Sequence, residues 1–331
     1  MTMSNNHIVV TTHAVTAGRR AQYQKFFGGE ARLSFLAGMP TGQRAQTLSD
    51  ADVLLSWNLP MELGQDEFAL VRNVRLVQLL TAGADRVPYA DLHPDTVIAC
   101  NAGAYAEPVA EHTLAMILTL TKGLLTEHQK MARGEFNWSR SNRRLSGSVC
   151  GILGFGGIGR AVARMLRCLD VRIQAINTSG RTDEAADFIG TLDSLQQVLS
   201  SSDIIVLSLP LTRSTRGLIG TRELDWMKPD AMLVNVARGA IIDEQALYEH
   251  LKANPRFLAG IDAWWREPPR DREFRTDFPF FSLPNVLGSP HNAAMVPGMT
   301  ELGMSKAAEN VNRFLKGDPI AGVVRREDYW E

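Results

Sequence analysis

The chain has 331 residues, 45% of them hydrophobic and 21% charged, and its 35 basic and 36 acidic side chains give a formal net charge of -1. A chain of this length exceeds the size at which one core usually stops growing, so two lobes are expected. The balanced charge creates no field that would favour nucleic acid or an anionic membrane as a partner. Neither a long apolar run nor a signal-peptide pattern occurs, which predicts a cytoplasmic protein.

The cysteine pattern indicates that the protein works without a metal ion. Cys100, Cys150 and Cys168 lack the spacing of a zinc site. Two of them stand in or beside apolar strand patterns, which is typical of small buried residues in a reducing compartment. We therefore expect no metal in the functional site.

Short apolar runs alternate with helical patterns over the first hundred residues. Strands separated by amphipathic helices are typical of βα units and a parallel sheet. The segment is therefore predicted to form one α/β lobe. The runs are HIVV near residue 7, RLSFLA near 32, ADVLLSW at 51, VRLVQLL at 74 and TVIAC at 96.

A long apolar helix is predicted at 107–125, where the sequence reads EPVAEHTLAMILTLTKGLL. Pro108 suits the first turn of a helix, and no glycine interrupts the pattern before Gly123. The apolar surface is wide enough to face both a domain core and a second subunit. Burial within a large monomer explains it equally well.

A second α/β series follows this helix and ends in a last helix at about 298–316. Parallel strands with intervening helices form a doubly wound sheet, in which ligands bind at the carboxyl ends of the strands. Six strands are predicted, at about 149–153, 171–176, 203–209, 231–236, 257–262 and 285–288.

A glycine-rich loop lies between the strand at 149–153 and the helical sequence RAVARMLRCL. In the pattern G-x-G-x-x-G, the glycines provide a tight turn, close approach of the backbone to a pyrophosphate, and close packing of helix on strand. Glycines also collect in turns for steric reasons alone. The position between strand and helix favours a dinucleotide site, with phosphates on the free N–H groups of the helix start. The predicted contacts are Gly154, Phe155, Gly156, Gly157, Ile158 and Gly159.

The next strand ends at Asn177, where folds of this kind usually carry an acid that binds the ribose hydroxyls. Without that carboxylate, a 2′-phosphate meets no repulsion, and Thr178, Ser179 and Arg181 offer donors and a positive charge. The segment therefore predicts NADP as the preferred cofactor and NAD as the second choice. The alternative is that Arg181 is a solvated loop residue.

Three polar residues follow three later strands: Arg238 in VNVARGAIIDEQAL, Glu267 in AGIDAWWREPP and His291 in LGSPHNAA. Taken singly, each has a plain structural explanation, as a surface cation, a loop acid or a satisfied histidine. The carboxyl ends of neighbouring parallel strands lie at the same edge of a sheet. We therefore expect the three side chains to converge on one crevice.

Together with the glycine loop, these residues make the sequence resemble the D-isomer-specific 2-hydroxyacid dehydrogenase family over nearly the whole chain. The resemblance includes TAGAD at 81–85, VAEHTLAMIL at 109–118, LSLPLT at 207–212 and SPHNAA at 289–294. It implies two Rossmann- or flavodoxin-like doubly wound parallel-sheet lobes with an active-site cleft between them. The implied domains are a substrate-binding domain of residues 1–101 plus 292–331 and a dinucleotide-binding Rossmann domain of residues 102–291.

The resemblance also implies a role for each residue in the reduction of a 2-keto acid. Protonated His291 donates a proton to the carbonyl oxygen, while the Glu267 carboxylate favours the imidazolium and holds the ring. Arg238 aligns the substrate carboxylate and polarises the carbonyl through its planar fork. Further cofactor contacts are expected from Leu209, Pro210, Val236, Ala237 and Asp262, and further substrate contacts from Trp57, Ala82, Gly83 and Ala84.

The leading prediction is a homodimeric 2-keto acid reductase that prefers NADPH and is similar to glyoxylate and hydroxypyruvate reductases. An alternative is a dinucleotide-sensing interaction protein, because the family resemblance extends to C-terminal-binding-protein corepressors. Formate or phosphite as substrate is disfavoured, since formate dehydrogenases of this superfamily have glutamine where Glu267 stands. Trp57 either lines the substrate pocket or packs beneath a loop. Trp264, Trp265 and the insert at 266–281 either shape the pocket or pack on the surface.

Overall fold

The structure, a computed structural model, describes residues 7–27, 29, 31–139, 141–268 and 271–329. The chain divides into two compact units. The first unit is Met1–Ala104 with Pro297–Glu331, and the second unit is Tyr105–Val296. Each unit is built on one parallel sheet with helices, which confirms the prediction of two doubly wound α/β lobes.

The secondary structure of the described residues consists of short strands alternating with helices in both units. The strands are β1 (Ile8–Thr11), β2 (Arg32–Phe35), β3 (Val53–Ser56), β4 (Leu76–Leu79), β5 (Val97–Ala99), β6 (Val149–Leu153), β7 (Arg172–Ile176), β8 (Phe188–Gly190), β9 (Ile204–Leu207), β10 (Met232–Asn235), β11 (Leu258–Ile261) and β12 (Val286–Gly288). The α-helices are α1 (Ala17–Phe27), α2 (Thr41–Ser49), α3 (Leu59–Glu62), α4 (Ala106–Lys122), α5 (Leu124–Ala132), α6 (Gly157–Arg167), α7 (Leu195–Ser201), α8 (Thr221–Trp226), α9 (Glu244–Ala253) and α10 (Met299–Lys316).

The sheet of the first unit has the strand order β2-β1-β3-β4-β5, and all neighbouring strands are parallel. Strands β3 and β4 are buried at every position, because apolar clusters cover both faces of the sheet. The strand order reverses between β1 and β3. The loops that follow these two strands therefore lie at the point where ligands bind in such sheets.

The sheet of the second unit has the order β12-β11-β10-β9-β6-β7-β8, again with parallel neighbours throughout. The order reverses between β6 and β9, which places the glycine loop after β6 at the switch point. The prediction of six strands was wrong by one. The missed strand, β8, has only three residues and pairs with a single neighbour at the sheet edge, so its sequence FIG carries no recognisable alternation.

The predicted long helix is α4, and it ends earlier than expected. Gly123 adopts a left-handed conformation with φ of 58°, which terminates α4 at Lys122, and the chain restarts as α5. Ala110 and Ile117 of α4 are fully buried in the core of the second unit. Among the helices of the described ranges, none is long and apolar enough to cross a membrane.

Candidate functional site

The predicted site residues of the second unit lie in loops, or at the start of helix α6, at the carboxyl edge of its sheet. Such an edge is where open α/β sheets bind ligands. The glycine loop follows β6, the 177–181 segment follows β7, and Leu209 with Pro210 follows β9. Val236, Ala237 and Arg238 follow β10, Asp262 follows β11, and His291 follows β12.

The three motif glycines have different surroundings. Gly154 has φ of 99°, and a Cβ there would come within 2.6 Å of the backbone nitrogen of Leu209. A Cβ at Gly159 would overlap the Gly154 carbonyl oxygen. Both positions therefore require glycine, for a tight turn and for close packing. Gly156 is exposed, and a Cβ there would meet no atom within 4 Å, so an open space lies beside this residue.

The loop fits a dinucleotide pyrophosphate. Gly156 is the N-cap of α6, no side chain caps this helix, and its first turn contains no acidic residue. The first N–H groups of α6 thus have no side-chain acceptor, and the positive end of the helix dipole faces open space. The Gly154 and Phe155 nitrogens donate to the Ile176 carbonyl at 2.9 and 3.0 Å, which holds the loop in place.

Asn177 organises the turn after β7. Its Oδ1 accepts hydrogen bonds from the backbone nitrogens of Ser179 and Gly180 at 3.1 and 2.7 Å, and its Nδ2 donates to the Arg181 carbonyl at 2.7 Å. The amide side chain therefore builds an Asx turn, a structural task in addition to the predicted cofactor contact. Thr178 and the Arg181 side chain are at this turn, and the exposed Arg181 guanidinium pairs with no carboxylate of the described chain.

Glu267 and His291 form a hydrogen-bonded pair. His291 Nδ1 lies 2.9 Å from both carboxylate oxygens of Glu267, and the side chains are 36% and 14% exposed respectively. Burial acts to raise the pKa of the Glu267 carboxyl, but the hydrogen bond and charge of His291, the Trp264 N–H and the charge of Arg238 hold it below its usual range. Since an ionised carboxylate only accepts, Nδ1 donates and Nε2 is left for proton exchange with a ligand.

Arg238 lies in the loop that leads from β10 towards this pair. Its Nη1 donates to the Ala237 carbonyl at 2.8 Å, and Asn235 bridges the loop through bonds of 3.0 Å to the Ala237 nitrogen and the Arg238 carbonyl. A Cβ at Gly239 would overlap the backbone of Trp264, so the two loops are in contact. The loop of Arg238 therefore contacts the loop that leads to Glu267, and the charge of Arg238 acts on the Glu267 carboxylate.

Asp262 holds the loop that carries His291. Its carboxylate, 1% exposed, accepts from Ser289 Oγ at 2.5 Å and from the backbone nitrogens of Asn292 and Ala293 at 3.2 and 3.4 Å. His291 has φ of 51°, a conformation that is uncommon for a residue other than glycine. The structure thus gives Asp262 a loop-holding task beside its predicted cofactor contact.

Trp264 and Trp265 pack against the insert. The Trp264 backbone nitrogen donates to Glu267 at 2.7 Å and its indole Nε1 donates to the Ser289 carbonyl at 2.8 Å. The Trp264 ring stacks on Phe281 with centroids 5.2 Å apart, and the Trp265 ring stacks on Phe280 at 5.3 Å. Trp264 therefore supports the His291–Glu267 pair from a packed aromatic cluster that also contains Trp265. Residues 269 and 270 of the insert lie outside the described residues.

The remaining predicted substrate residues belong to the first unit. Trp57 follows β3, is half-buried, and its backbone nitrogen donates to Glu62 Oε1 at 3.1 Å. Residues 82–84 follow β4, and exposure falls along them from the exposed Ala82 through Gly83 to Ala84, whose carbonyl accepts from the Tyr89 hydroxyl at 3.0 Å. Their contacts with substrate stay a prediction.

Sequence reasoning missed His112 and Ser289, which hydrogen-bond to each other beside Asp262. Both lie within quoted family motifs, VAEHTLAMIL and SPHNAA. A histidine inside an otherwise apolar helix was the available signal, because a buried polar side chain needs a partner. Within the described residues, no group of three or more His, Cys, Asp or Glu is arranged to hold a metal ion.

Comparison with known proteins identifies relatives over most of the chain. The family profile "D-isomer specific 2-hydroxyacid dehydrogenase, NAD binding domain" matches residues 114–293. Glycerate dehydrogenase of Methylorubrum extorquens is 28% identical over 83% of this chain and 86% of that protein. Glyoxylate reductase of Pyrococcus furiosus is 27% identical over 87% of each. Two archaeal D-3-phosphoglycerate dehydrogenases also match, and the chain spans 54% and 50% of their length.

Solved structures share the fold of this chain. A solved structure of a candidate formate dehydrogenase from Pyrobaculum aerophilum is 26% identical and superposes with a TM-score of 0.82. The superposition covers 97% of this chain and 99% of that one. The family profile covers more than half of the chain and therefore identifies its family, while the superposition shows the shared fold.

Proposed function

The chain belongs to the D-isomer-specific 2-hydroxyacid dehydrogenase family, and from this premise we propose that it is an NAD(P)H-dependent 2-keto acid reductase similar to glyoxylate and hydroxypyruvate reductases. The observation that carries the proposal is the His291–Glu267 pair at 2.9 Å, with the charge of Arg238 acting on the same carboxylate. Relatives named glycerate dehydrogenase and glyoxylate reductase support a small substrate of this class.

In the proposed assignment, the second unit binds the dinucleotide and the first unit supplies further substrate contacts, from Trp57 and residues 82–84. The open space at Gly156 and the start of α6 suit the pyrophosphate. The Asn177 turn suits the adenosine ribose. The nicotinamide of the bound dinucleotide supplies the hydride for C2 of the keto acid. Further contacts to the dinucleotide come from Leu209, Pro210, Val236, Ala237 and Asp262.

His291 is the proposed general acid. Because Nδ1 donates to Glu267, the ring presents Nε2 to the substrate. Nε2–H then donates its proton to the substrate carbonyl oxygen as negative charge develops there. In the oxidative direction the neutral ring accepts the hydroxyl proton at the same atom.

Arg238 is the proposed anchor for the substrate. Its guanidinium carries donors in a planar fork that matches a carboxylate, and a remaining N–H can reach the neighbouring carbonyl oxygen. The bond from Nη1 to the Ala237 carbonyl orients the fork before substrate binds. A charge fixed in advance costs no reorganisation during the reaction, which is the condition for effective stabilisation of the transition state.

The test of the function is the initial rate of NADPH or NADH oxidation with glyoxylate, hydroxypyruvate, pyruvate and a bulky phenyl 2-keto acid. We expect turnover with at least one small 2-keto acid and the higher kcat/KM with NADPH. If the protein binds NADPH but reduces none of these acids with either cofactor, the reductase proposal fails. The dinucleotide-sensing alternative would then be pursued through partner capture that depends on NADPH.

The NADPH preference predicts a selective effect of Arg181→Ala. A charge-assisted contact to the 2′-phosphate is worth about 1.5 to 3 kcal/mol, so NADPH affinity should fall by about 10- to 150-fold while NADH affinity hardly changes. Fluorescence titration of both cofactors measures the two dissociation constants. Arg172→Ala is the control, because Arg172 is exposed at the amino end of β7, the strand before this turn. This variant should change neither dissociation constant. Equal weakening of both cofactors by Arg181→Ala would remove the 2′-phosphate argument.

A homodimer is the proposed assembly. Five large apolar side chains between residues 124 and 138 are exposed, and such a cluster is typical of a protein interface. We expect Trp138→Asp, at the most exposed of them, to convert a dimer into monomers in sedimentation velocity runs. Met61→Asp changes an exposed methionine of the first unit and should leave the dimer intact. A monomeric wild type at micromolar concentration contradicts the assembly. The five are Leu124, Leu125, Met131, Phe136 and Trp138.

A further inference from the structure

A chain of hydrogen bonds connects helix α4 to the loop that carries His291. His112 Nε2 lies 2.9 Å from Ser289 Oγ, and Ser289 Oγ lies 2.5 Å from Asp262 Oδ1. His112 Nε2 is also 3.6 Å from the same carboxylate oxygen. The His112 side chain is 27% exposed and Asp262 is 1% exposed. The series of hydrogen bonds therefore begins at a partly exposed helix position and ends at a buried carboxylate.

The direction of donation along this chain follows from the chemistry of the groups. The Asp262 carboxylate accepts hydrogen bonds from two backbone N–H groups. An ionised carboxylate has no hydrogen to donate and can only accept hydrogen bonds. Ser289 therefore donates its single hydroxyl hydrogen to Asp262. The Ser289 oxygen is then the acceptor for His112, which must carry a hydrogen on Nε2. Neutral His112 is thus the Nε2–H tautomer.

Asp262 is hydrogen-bonded to residues on both sides of His291. Its carboxylate accepts a hydrogen bond from the Ser289 hydroxyl, two residues before the histidine. It also accepts hydrogen bonds from the backbone nitrogens of Asn292 and Ala293, directly after the histidine. The left-handed backbone of His291, with φ of 51°, persists only where its surroundings hold it. The hydrogen bonds of Asp262 hold the backbone before and after His291 and so help to maintain this conformation.

We propose that His112 and Ser289 are positioning residues for the reaction: by fixing Asp262, they hold the backbone of residues 289–293 and keep the His291 ring on Glu267. The inference rests on the proposed function of His291 as the general acid. Without the Ser289 hydroxyl, Asp262 loses its shortest contact and the loop is freed to leave the left-handed conformation. The imidazole then spends less time hydrogen-bonded to Glu267, so Nε2 is aimed at the substrate oxygen for a smaller share of the time.

The test compares Ser289→Ala and His112→Leu with wild type in steady-state reduction of the best 2-keto acid. We expect kcat to fall by about 10- to 100-fold, as for a misplaced catalytic group, while KM and the NADPH dissociation constant stay near the wild-type values. Ser289→Thr keeps the hydroxyl and His112→Gln keeps an N–H donor, so both should recover most of kcat.

Thr113→Val is the matched control. Thr113 is buried beside His112 on α4, but its hydroxyl donates only within its own helix, to the Val109 carbonyl at 2.7 Å. This variant should retain the wild-type kcat and KM. If Ser289→Ala also retains the wild-type kcat, or if Ser289→Thr recovers none of the lost kcat, the positioning role is overturned.

A second measurement needs no turnover. Nitrogen-15 spectra of selectively labelled histidines in the ligand-free protein report the tautomer of each ring, and His112 should be protonated at Nε2. A hydrogen on Nδ1 alone would overturn the proposed chain of hydrogen bonds. Absence of 2-keto acid reduction by wild type would instead refute the proposed function, so the two failures are distinguishable.

Discussion

Turnover by His291→Ala should fall by about 10²- to 10⁴-fold, with KM for the 2-keto acid and affinity for NADPH near the wild-type values. The variant removes the only ring that Glu267 binds among the described residues. It also removes the proposed proton donor for the substrate oxygen. Single-turnover and steady-state rates with both cofactors measure the loss. An unchanged rate would show that another group supplies the proton.

The pH profile tests the carboxylate that binds His291. Because the pKa of Glu267 is held below its usual value of 4.5, the carboxylate stays ionised through mildly acidic pH and should not limit turnover there. His93→Ala, at an exposed histidine of the first unit, is the control and should keep the wild-type profile.

Arg238→Ala should damage both binding and turnover. Loss of a bidentate contact to the substrate carboxylate is expected to raise KM by about tenfold or more, and loss of a donor at the reacting oxygen to lower kcat by about 10²- to 10³-fold. Steady-state kinetics over a wide range of keto acid concentration separates the two effects. A rise in KM with unchanged kcat would restrict Arg238 to substrate binding.

Arg238→Lys distinguishes charge from geometry at this position. Lysine keeps the positive charge but not the planar fork, so we expect partial recovery of KM and little recovery of kcat. We expect both variants to fold, because the hydrogen bonds between Asn235 and the backbone of this loop do not involve the guanidinium. Thermal unfolding at neutral pH checks that they do. Full activity of Arg238→Lys would show that a point charge is sufficient.

The sequence predicts best the elements that are buried along their whole length. Strand β6 has its predicted bounds, because its sequence VCGIL stands between a polar segment and a glycine loop and is buried at all five positions. Helix α4 was extended past Gly123 because composition alone does not reveal a left-handed φ. The short edge strand β8 was missed, since a strand that pairs on one side needs little hydrophobic patterning.

The candidate site was predictable in its residues but not in its contacts. Residue types and strand ends identified Arg238, Glu267 and His291, yet the sequence separation of His112 and Ser289 conceals their bond, which depends on how α4 lies across the sheet. Asp262 was expected to meet the cofactor, and its bonds to the His291 loop became evident only from the structure. Contacts of this kind arise from tertiary packing rather than from local pattern.

The Asx turn at Asn177 has a consequence for evolution. An aspartate at this position would retain the oxygen that accepts from Ser179 and Gly180, and would lose only the amide that donates to the Arg181 carbonyl. A single base change converts an asparagine codon into an aspartate codon. Descendants of this scaffold can therefore acquire or discard a negative charge at the proposed ribose position while the turn survives. Under the proposed assignment, selection could thus redirect cofactor preference without rebuilding the fold.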